Sequence, residues 1–296
     1  MKVLLTVVAL NAHVAQFIKD QGYEVITQDE LTSENAPYIE VIMSNGTGKI
    51  SKELLDKLPN VKMIDNFGVG YDGVDVTTPG VLTEDVADLA MALLLGLSRQ
   101  VTMAHNFIHE GKWAQGAKFP LGSKVSGKKL GILGLGRIGK AVAARASGFD
   151  MPIYYYDRFS QDERYTKVDS LLDLAKAVDY LVVCAAATEE NRNMVNAQVL
   201  EALGSKGCLI NIARGSLVDE DALCQAIEKG VIKGAALDVF ASEPHVPEAL
   251  LNRNNVIVTA HIASGTVETR KQMADIVNAN FKAFLEGTPM PTKLKL

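Results

Sequence analysis

The sequence has few of the residues that build disulfide frameworks or zinc sites. Its 296 residues include three cysteines, Cys184, Cys208 and Cys224. Their number is odd and they form no CxxC pair, so the pattern indicates neither a disulfide scaffold nor a zinc ribbon. Free thiols fit a reducing compartment, and we expect a cytoplasmic protein that holds no metal.

The sequence also lacks an excess of positive charge and a long apolar run. Lys and Arg number 30 against 35 Asp and Glu, which gives a formal net charge of −5. An acidic chain offers no face to nucleic acid or to an anionic membrane surface. No apolar stretch reaches the length that spans a bilayer. Residues 1–10 are apolar but short, without a small-residue cleavage site, so we expect a buried first strand rather than a signal peptide.

A glycine-rich segment has the pattern of a dinucleotide-binding turn. An apolar run at 130–133 leads into Gly134, Gly136 and Gly139, and a helical period follows. Glycine is needed where a strand turns sharply into a helix, where a pyrophosphate approaches the backbone, and where helix and strand pack closely. The helix N-terminus then presents N–H groups and a positive dipole end to the phosphates. A structural turn in some other α/β protein is the alternative.

Two charged residues after the next apolar run bear on the choice of cofactor. Asp157 follows Gly139 by eighteen residues. A carboxylate there can accept hydrogen bonds from both ribose hydroxyls and repels a 2′-phosphate, which favours NAD over NADP. The neighbouring Arg158 weakens this inference, because a guanidinium can bind a 2′-phosphate. We predict NAD, with NADP as the less favoured cofactor.

Apolar runs alternate with helical periods along the chain, which is typical of parallel sheets covered by helices. The predicted strands are residues 2–8, 24–27, 41–44, 63–66, 130–133, 153–156, 180–184, 208–211, 234–238 and 256–259. The predicted helices include residues 13–21, 51–58, 83–110 and 266–286. The second group of six strands suffices for a complete doubly wound sheet.

The fold class that follows is α/β, with two domains, because 296 residues exceed what one core usually supports. We predict a Rossmann doubly wound parallel sheet over residues 83–266 that binds the cofactor. A smaller, flavodoxin-like α/β domain for the substrate is formed by residues 1–82 and 267–296, so this domain is discontinuous.

Polar residues near the carboxyl ends of the later strands are the candidates for chemistry. Arg214 has a planar fork that suits a carboxylate, although a solvated surface charge is the alternative. Asp238 suits either a helix cap or a cofactor contact. His261 on its own is often structural, but a nearby carboxylate such as Glu243 would favour its charged form and suit proton transfer.

Four separated segments resemble the successive signatures of the D-isomer-specific 2-hydroxyacid dehydrogenase family. They are residues 133–139, 211–218, 237–244 and 259–266. Residues 66–76 and 78–89 resemble the glyoxylate and hydroxypyruvate reductase branch. The resemblance covers nearly the whole chain. It implies two α/β domains, a nicotinamide cofactor in the cleft, and a homodimer joined through the nucleotide domains.

The resemblance also implies roles for individual residues. Arg214 would bind the substrate carboxylate and carbonyl, His261 would be the acid/base, and Glu243 would orient the imidazole. The implied substrate contacts are Val69, Gly70, Arg214, His261 and Ser264. The implied cofactor contacts are Gly134, Leu135, Gly136, Arg137, Ile138, Gly139, Asp157, Arg158, Ala186, Thr188, Ile212, Asp238 and His261.

The function that follows is hydride transfer between NAD(H) and a small 2-keto or 2-hydroxy acid, with glyoxylate or hydroxypyruvate favoured. A D-lactate or phenyllactate type dehydrogenase and an NAD(H)-sensing corepressor are the alternatives. Trp113 resembles the dimer-arm tryptophan of the family, or else covers the local core.

Three departures from the family pattern stand out. A short helix and strand are absent between Val76 and Thr77. Ala260 replaces a common proline. Residues 184–188 lack the His and Pro of the phosphoglycerate and lactate branches.

Overall fold

The computed structural model describes residues 2–45, 50–67 and 81–293 of the chain. It divides into two compact units, one made of Met1–Leu82 with Thr266–Leu296 and the other of Thr83–Gly265. The expected boundaries differ by one residue, since Thr266 belongs to the first unit. Val69, Gly70 and the junction of Val76 with Thr77 lie outside the described residues.

The first unit is built on a four-stranded parallel sheet. Its strands are β1 (Val3–Thr6), β2 (Glu24–Thr27), β3 (Ile39–Ser44) and β4 (Met63–Asn66), in the order β2-β1-β3-β4. Helices α1 (Ala12–Asp20) and α2 (Lys52–Asp56) follow β1 and β3. Successive side chains of a strand point to opposite faces, so Leu4 packs with Val14 and Ile18 while Val3 and Leu5 belong to the cluster on the other face. Both faces of this sheet are therefore covered, as parallel sheets require.

The second unit contains a seven-stranded parallel sheet. Its strands are β5 (Leu130–Leu133), β6 (Ile153–Tyr156), β7 (Thr166–Lys167), β8 (Tyr180–Val183), β9 (Cys208–Asn211), β10 (Gly234–Leu237) and β11 (Val256–Val258). The order is β11-β10-β9-β8-β5-β6-β7, so the chain reverses direction across the sheet between β5 and β8. This is the doubly wound arrangement that the sequence predicted. Strand β7 was not predicted, because its two residues are exposed and carry no apolar pattern.

The helices of the second unit differ from the prediction at one place. They are α3 (Thr83–Ser98), α4 (Val101–His109), α5 (Arg137–Ser147), α6 (Leu171–Ala177), α7 (Ala197–Leu203) and α8 (Glu220–Glu228). The single helix predicted over residues 83–110 is wrong. Gln100 adopts a left-handed conformation with φ 55°, and α3 and α4 are bent by 59° at this break.

Within the described residues, no single helix is long and apolar enough to cross a membrane. Helices α3 and α4, taken together as a bent pair, are long and apolar enough by length and composition alone.

The last helix, α9 (Val267–Glu286), belongs to the first unit. Its N-cap is Thr266, whose side chain accepts a hydrogen bond from the N–H of Thr269. Phe281 of α9 is fully buried, and its ring meets that of Tyr23 edge to face at 5.1 Å between centroids. The predicted final helix is thus present and completes the core of the smaller unit.

Candidate active site

The glycine-rich turn lies between β5 and α5, at the point where the strand order reverses. Gly134 has φ 93°, and a Cβ there would lie 2.6 Å from the Cα of Ala185. A Cβ on Gly139 would lie 2.2 Å from the carbonyl oxygen of Gly134. A Cβ on Gly136 would meet nothing within 4 Å, although this residue is the N-cap of α5. The chain itself therefore demands the first and third glycines, whereas the second leaves open space at the helix N-terminus.

Asp157 holds this turn in place. Its Oδ2 accepts a hydrogen bond from the N–H of Leu135 at 2.7 Å, and its Oδ1 accepts from the N–H groups of Phe159 and Ser160 at 2.8 and 2.7 Å. Partial burial alone would raise the pKa of Asp157, but these backbone N–H groups outweigh burial and lower it. The carboxylate is consequently ionised at neutral pH and fixed beside the turn.

The loop after β8 faces the same end of the sheet. The N–H of Thr188 donates to Oδ1 of Asn191 at 2.7 Å, and Nδ2 of Asn191 donates to the carbonyl oxygen of Ala186 at 2.8 Å. Both Ala186 and Thr188 are exposed. Asn191 was not predicted as a site residue, although it fixes the loop that carries two predicted cofactor contacts.

Arg214 follows β9 in a loop fixed by a buried amide. The Nδ2 of Asn211 donates to the carbonyl oxygen of Arg214 at 2.9 Å, and its Oδ1 accepts from the N–H of Ala213 at 3.1 Å. Asn211 is 1 % exposed, so this clamp is shielded from water. Arg214 is half-buried, and its Nη1 donates to the carbonyl oxygen of Ala213 at 2.7 Å.

Gly215 brings the loops after β9 and β10 together. A Cβ at this position would lie 1.9 Å from the carbonyl carbon of Phe240. Only glycine permits this approach, so the residue is needed for contact between two backbones. A hydrogen bond to Glu220 also stabilises the loop after β10, since the N–H of Ala241 donates to Oε1 of Glu220 at 2.7 Å.

His261 and Glu243 are in direct contact. The Nδ1 of His261 lies 2.8 Å from Oε2 of Glu243, and Oε1 of Glu243 accepts from the N–H of Phe240 at 3.1 Å. Partial burial would raise the pKa of Glu243, but its bonds to His261 and Phe240, with the charges of His261 and Arg214, lower it. The pair is partly open, with side chains 35 % and 28 % exposed. Nε2 is thus the imidazole atom left for a substrate.

Asp238 organises the loop that carries His261. It is fully buried, and its Oδ1 accepts from the Thr259 hydroxyl at 2.6 Å and from the Ile262 N–H at 2.9 Å. Its Oδ2 accepts from the N–H of Ala263 at 2.9 Å. The N–H of His261 donates to the carbonyl oxygen of Asp238 at 2.9 Å, and His261 has φ 51°. These bonds hold His261 in a backbone conformation that is uncommon for a residue with a side chain.

The structure brings the predicted residues of the second unit to one edge of its sheet. Arg214, Glu243 and His261 follow β9, β10 and β11, and the glycine turn follows β5. Ile212 is buried and Ser264 is half-buried. Sequence reasoning missed Asn191, Asn211, Glu220 and Thr259. Asn211 and Thr259 stand at strand ends, a position that could have singled them out.

The first unit contains a cavity of about 290 Å³ at the carboxyl ends of β1 and β3. Its lining residues include Val8, Asn11, Ser44, Phe67 and Arg270. The Arg270 guanidinium lies 5.8 Å from the centroid of the Phe67 ring, which is a cation–π contact. The cavity combines apolar walls with a cation at the sheet edge where α/β folds bind ligands.

The residues around the turn fit a dinucleotide. Gly136 leaves room for a pyrophosphate at the N-terminus of α5, where N–H groups and the helix dipole favour an anion. Asp157 at the end of β6 keeps about one acceptor site for a ribose hydroxyl, since an ionised carboxylate has about four such sites and three are used. At the same edge, Arg214 and the His261–Glu243 pair can bind a carboxylate and exchange a proton with a neighbouring oxygen.

Comparison with known proteins agrees with this chemistry. Residues 91–263 match the model of the D-isomer specific 2-hydroxyacid dehydrogenase NAD binding domain. The chain is 45 % identical over 266 residues to glyoxylate/hydroxypyruvate reductase A of Arabidopsis thaliana, covering 86 % of this chain and 85 % of that one. It is 43 % identical over 277 residues to hydroxyphenylpyruvate reductase of Plectranthus scutellarioides, covering 90 % and 88 %.

A solved structure agrees over nearly the whole chain. The NADPH-dependent glyoxylate/hydroxypyruvate reductase of Sinorhizobium meliloti, in complex with NADP and malonate, has a TM-score of 0.92 and 38 % identity, with coverage of 99 % of this chain and 96 % of that one. Sequence and fold lead to the same assignment: the chain belongs to the D-isomer-specific 2-hydroxyacid dehydrogenase family, in its glyoxylate and hydroxypyruvate reductase branch.

Proposed function

We propose that this chain reduces small 2-keto acids, glyoxylate and hydroxypyruvate foremost, with NADH as the preferred reductant. In its general reaction class, the chain is an NAD(P)-dependent oxidoreductase that acts on CH–OH groups. The observation that carries the proposal is the contact between His261 and Glu243 at the sheet edge that also holds Arg214. The names of the relatives in Arabidopsis thaliana and Sinorhizobium meliloti support the two keto acids.

The chain's own residues account for binding and proton transfer. The planar fork of Arg214 pairs with the substrate carboxylate and fixes the orientation of the adjacent carbonyl. Protonated His261 donates from Nε2 to the carbonyl oxygen as negative charge develops there. Glu243 accepts from Nδ1, which fixes the ring and stabilises the imidazolium. When bound, the nicotinamide supplies the hydride that reduces the carbonyl carbon.

Asp157 supports the preference for NADH. Its carboxylate is ionised and held by three backbone N–H groups, so it cannot swing away from a 2′-phosphate. A fixed negative charge at that place disfavours NADP, and the remaining acceptor site of the carboxylate can take a hydrogen bond from a ribose hydroxyl of NAD. The NADP bound to the relative from Sinorhizobium meliloti makes the choice of cofactor a matter for direct measurement.

A panel of substrates tests the proposal. Oxidation of NADH and NADPH should be followed with glyoxylate, hydroxypyruvate, pyruvate and phenylpyruvate. We expect the highest kcat/KM with glyoxylate or hydroxypyruvate and NADH. Faster reduction of pyruvate or phenylpyruvate would indicate a lactate or phenyllactate type of enzyme. Binding of NADH without turnover of any of the four acids would overturn the proposal in favour of a sensor.

We further propose a homodimer assembled through the segment around α4. Several apolar side chains there are exposed in the single chain. They are Val101, Ile108, Trp113 and Leu121, with exposed fractions of 56, 50, 69 and 94 %. The rings of Phe107 and Phe119 stack edge to face at 5.3 Å and so brace this segment. Exposed apolar residues this close in sequence are typical of a protein interface.

We also propose a cytoplasmic location, which the free cysteines support.

A further inference from the structure

Arg158, which follows Asp157 directly, has a guanidinium engaged by two neighbours. Its Nη2 lies 3.6 Å from Oε2 of Glu190, in the loop after β8. Its Cζ lies 5.6 Å from the centroid of the Phe159 ring. The side chains of Arg158 and Glu190 are 54 % and 79 % exposed. The ion pair directs the guanidinium towards the loop after β8, while the cation–π contact packs it against the ring of the adjacent residue.

This arrangement matters for a cofactor that carries a 2′-phosphate. Such a phosphate needs a cation with free donors, which a guanidinium beside the strand end supplies best. A guanidinium paired with a carboxylate has part of its donor fork turned towards that partner, and part of its charge is balanced. The pair therefore competes directly with binding of the phosphate.

We propose that Glu190 is a cofactor-selecting residue, which disfavours 2′-phosphorylated dinucleotides by holding Arg158 in an ion pair. The proposal rests on the proposed placement of the ribose at Asp157 and adds a second determinant to it. Asp157 repels the phosphate, and Glu190 withdraws the cation that would compensate for this repulsion. Selectivity for NAD then depends on two carboxylates from different strand ends.

The expected effect is modest, because an exposed ion pair competes only weakly with another ligand. Removing the carboxylate of Glu190 should tighten binding of a 2′-phosphate by about three-fold to ten-fold. It should leave binding of nucleotides without that phosphate unchanged. Complete reversal of cofactor preference is not expected, since Asp157 remains in place.

Titration calorimetry with nucleotide fragments measures this effect independently of turnover. The full chain and its Glu190→Gln variant are titrated with 2′,5′-ADP and with 5′-ADP. Glu190→Gln should lower the Kd of 2′,5′-ADP by about three-fold to ten-fold and leave that of 5′-ADP within about two-fold. Unchanged binding of 2′,5′-ADP, or an equal change for both nucleotides, would overturn the proposal.

Glu189→Gln is the matched control. It removes the same charge from the neighbouring position, but Glu189 pairs with Arg192, at 3.2 Å between Oε1 and Nη2. This variant should change the Kd of 2′,5′-ADP by less than about two-fold, since it does not release Arg158. An effect as large as that of Glu190→Gln would show a general charge effect and contradict the proposal.

A double-mutant cycle tests whether Glu190 acts through Arg158. In the Arg158→Ala background, Glu190→Gln should no longer tighten binding of 2′,5′-ADP, and persistence of the full effect would contradict the proposal. The ratio of kcat/KM for NADPH to that for NADH should rise with Glu190→Gln by the same factor. If keto acids are not turned over, the proposed function fails while calorimetry still decides this inference.

Discussion

The Oδ1 atom of Asp238 accepts a hydrogen bond from the hydroxyl of Thr259 at 2.6 Å, across the ends of β10 and β11. The same carboxylate accepts the N–H groups of Ile262 and Ala263. It therefore closes the loop in which His261 stands. His261, the proposed acid/base, is thus positioned by a fully buried carboxyl group that makes all of these contacts itself.

Asp238→Asn should damage both stability and catalysis. An amide has only one acceptor oxygen, so at least one of the three donors loses its partner, at a cost of about 1–3 kcal/mol. Urea unfolding should show this loss, and kcat should fall because the loop of His261 is released. Thr259→Val removes a single bond and should cost about 1 kcal/mol. Equal stability of Asp238→Asn and the native protein would show that the carboxylate does not hold the loop.

Arg214→Lys should lower kcat/KM for glyoxylate by about 100-fold to 1000-fold. The charge is kept, but an ammonium group cannot reproduce the planar fork that orients a carboxylate. Steady-state kinetics with NADH measures the effect. Arg192→Lys, at an exposed pair with Glu189, is the control and should leave kcat/KM unchanged. Near-native kinetics of Arg214→Lys would remove Arg214 from its proposed role.

Two glycines of the turn should respond differently to alanine. Gly139→Ala places a Cβ against the Gly134 carbonyl oxygen and should destabilise the fold by about 1–3 kcal/mol. Gly136→Ala meets no atom of the chain within 4 Å, so its free energy of unfolding should stay within about 0.5 kcal/mol of the native value. Its Kd for NADH should nevertheless rise about ten-fold, because the methyl group occupies the space for the pyrophosphate. Unaltered binding by Gly136→Ala would place the cofactor elsewhere.

Trp113→Ala should weaken dimerisation. The side chain is 69 % exposed in the single chain, so its loss costs an interface rather than a core. Sedimentation at several concentrations should show more monomer. If the segment around Trp113 reaches the partner's substrate site, the ratio of kcat/KM for hydroxypyruvate to that for glyoxylate should also change. Val267→Ala, at an apolar residue that is 83 % exposed in α9, is the control. Reduced stability with an unchanged oligomeric state would favour a local packing role.

The sheet of the second unit was predictable because buried parallel strands are continuous apolar runs, such as β5 and β8. The break at Gln100 was not, since neither glycine nor proline marks it and apolar residues continue on both sides. Strand β7 could not be predicted because it is a short exposed edge strand, held by pairing with β6 rather than by burial.

Arg214, Glu243 and His261 could be predicted as a set because the carboxyl ends of parallel strands lie at one edge of the sheet. The bonds that fix them could not. Asn191 binds backbone groups of its own loop after β8, and Glu220 binds the N–H of Ala241 in the loop after β10. Such contacts depend on loop conformation rather than on a sequence pattern. The sequence suggested a helix cap or a cofactor contact for Asp238. In the structure, its carboxylate binds backbone N–H groups of the loop that carries His261. A contact with the cofactor stays a prediction.

In the proposed reaction His261, oriented by Glu243, exchanges the proton with the substrate oxygen. The pKa of Glu243 is lowered, so its carboxylate stays ionised from neutral to mildly acidic pH and keeps the imidazole oriented over that range. Reduction of a keto acid needs protonated His261, whereas oxidation of the hydroxy acid needs the neutral ring. Glu243→Gln should lower both rates, because an amide stabilises the imidazolium less well than a carboxylate.

The most direct measurement is the pH profile of kcat/KM in both directions, between pH 5 and pH 10, with glyoxylate and NADH and with glycolate and NAD. Reduction, which consumes a proton, should decline as the pH rises, while oxidation, which releases one, should increase over the same interval. Both trends should disappear in His261→Gln, whose residual activity should be far lower. Profiles of the same slope in both directions, or trends that persist in His261→Gln, would show that His261 is not the acid/base.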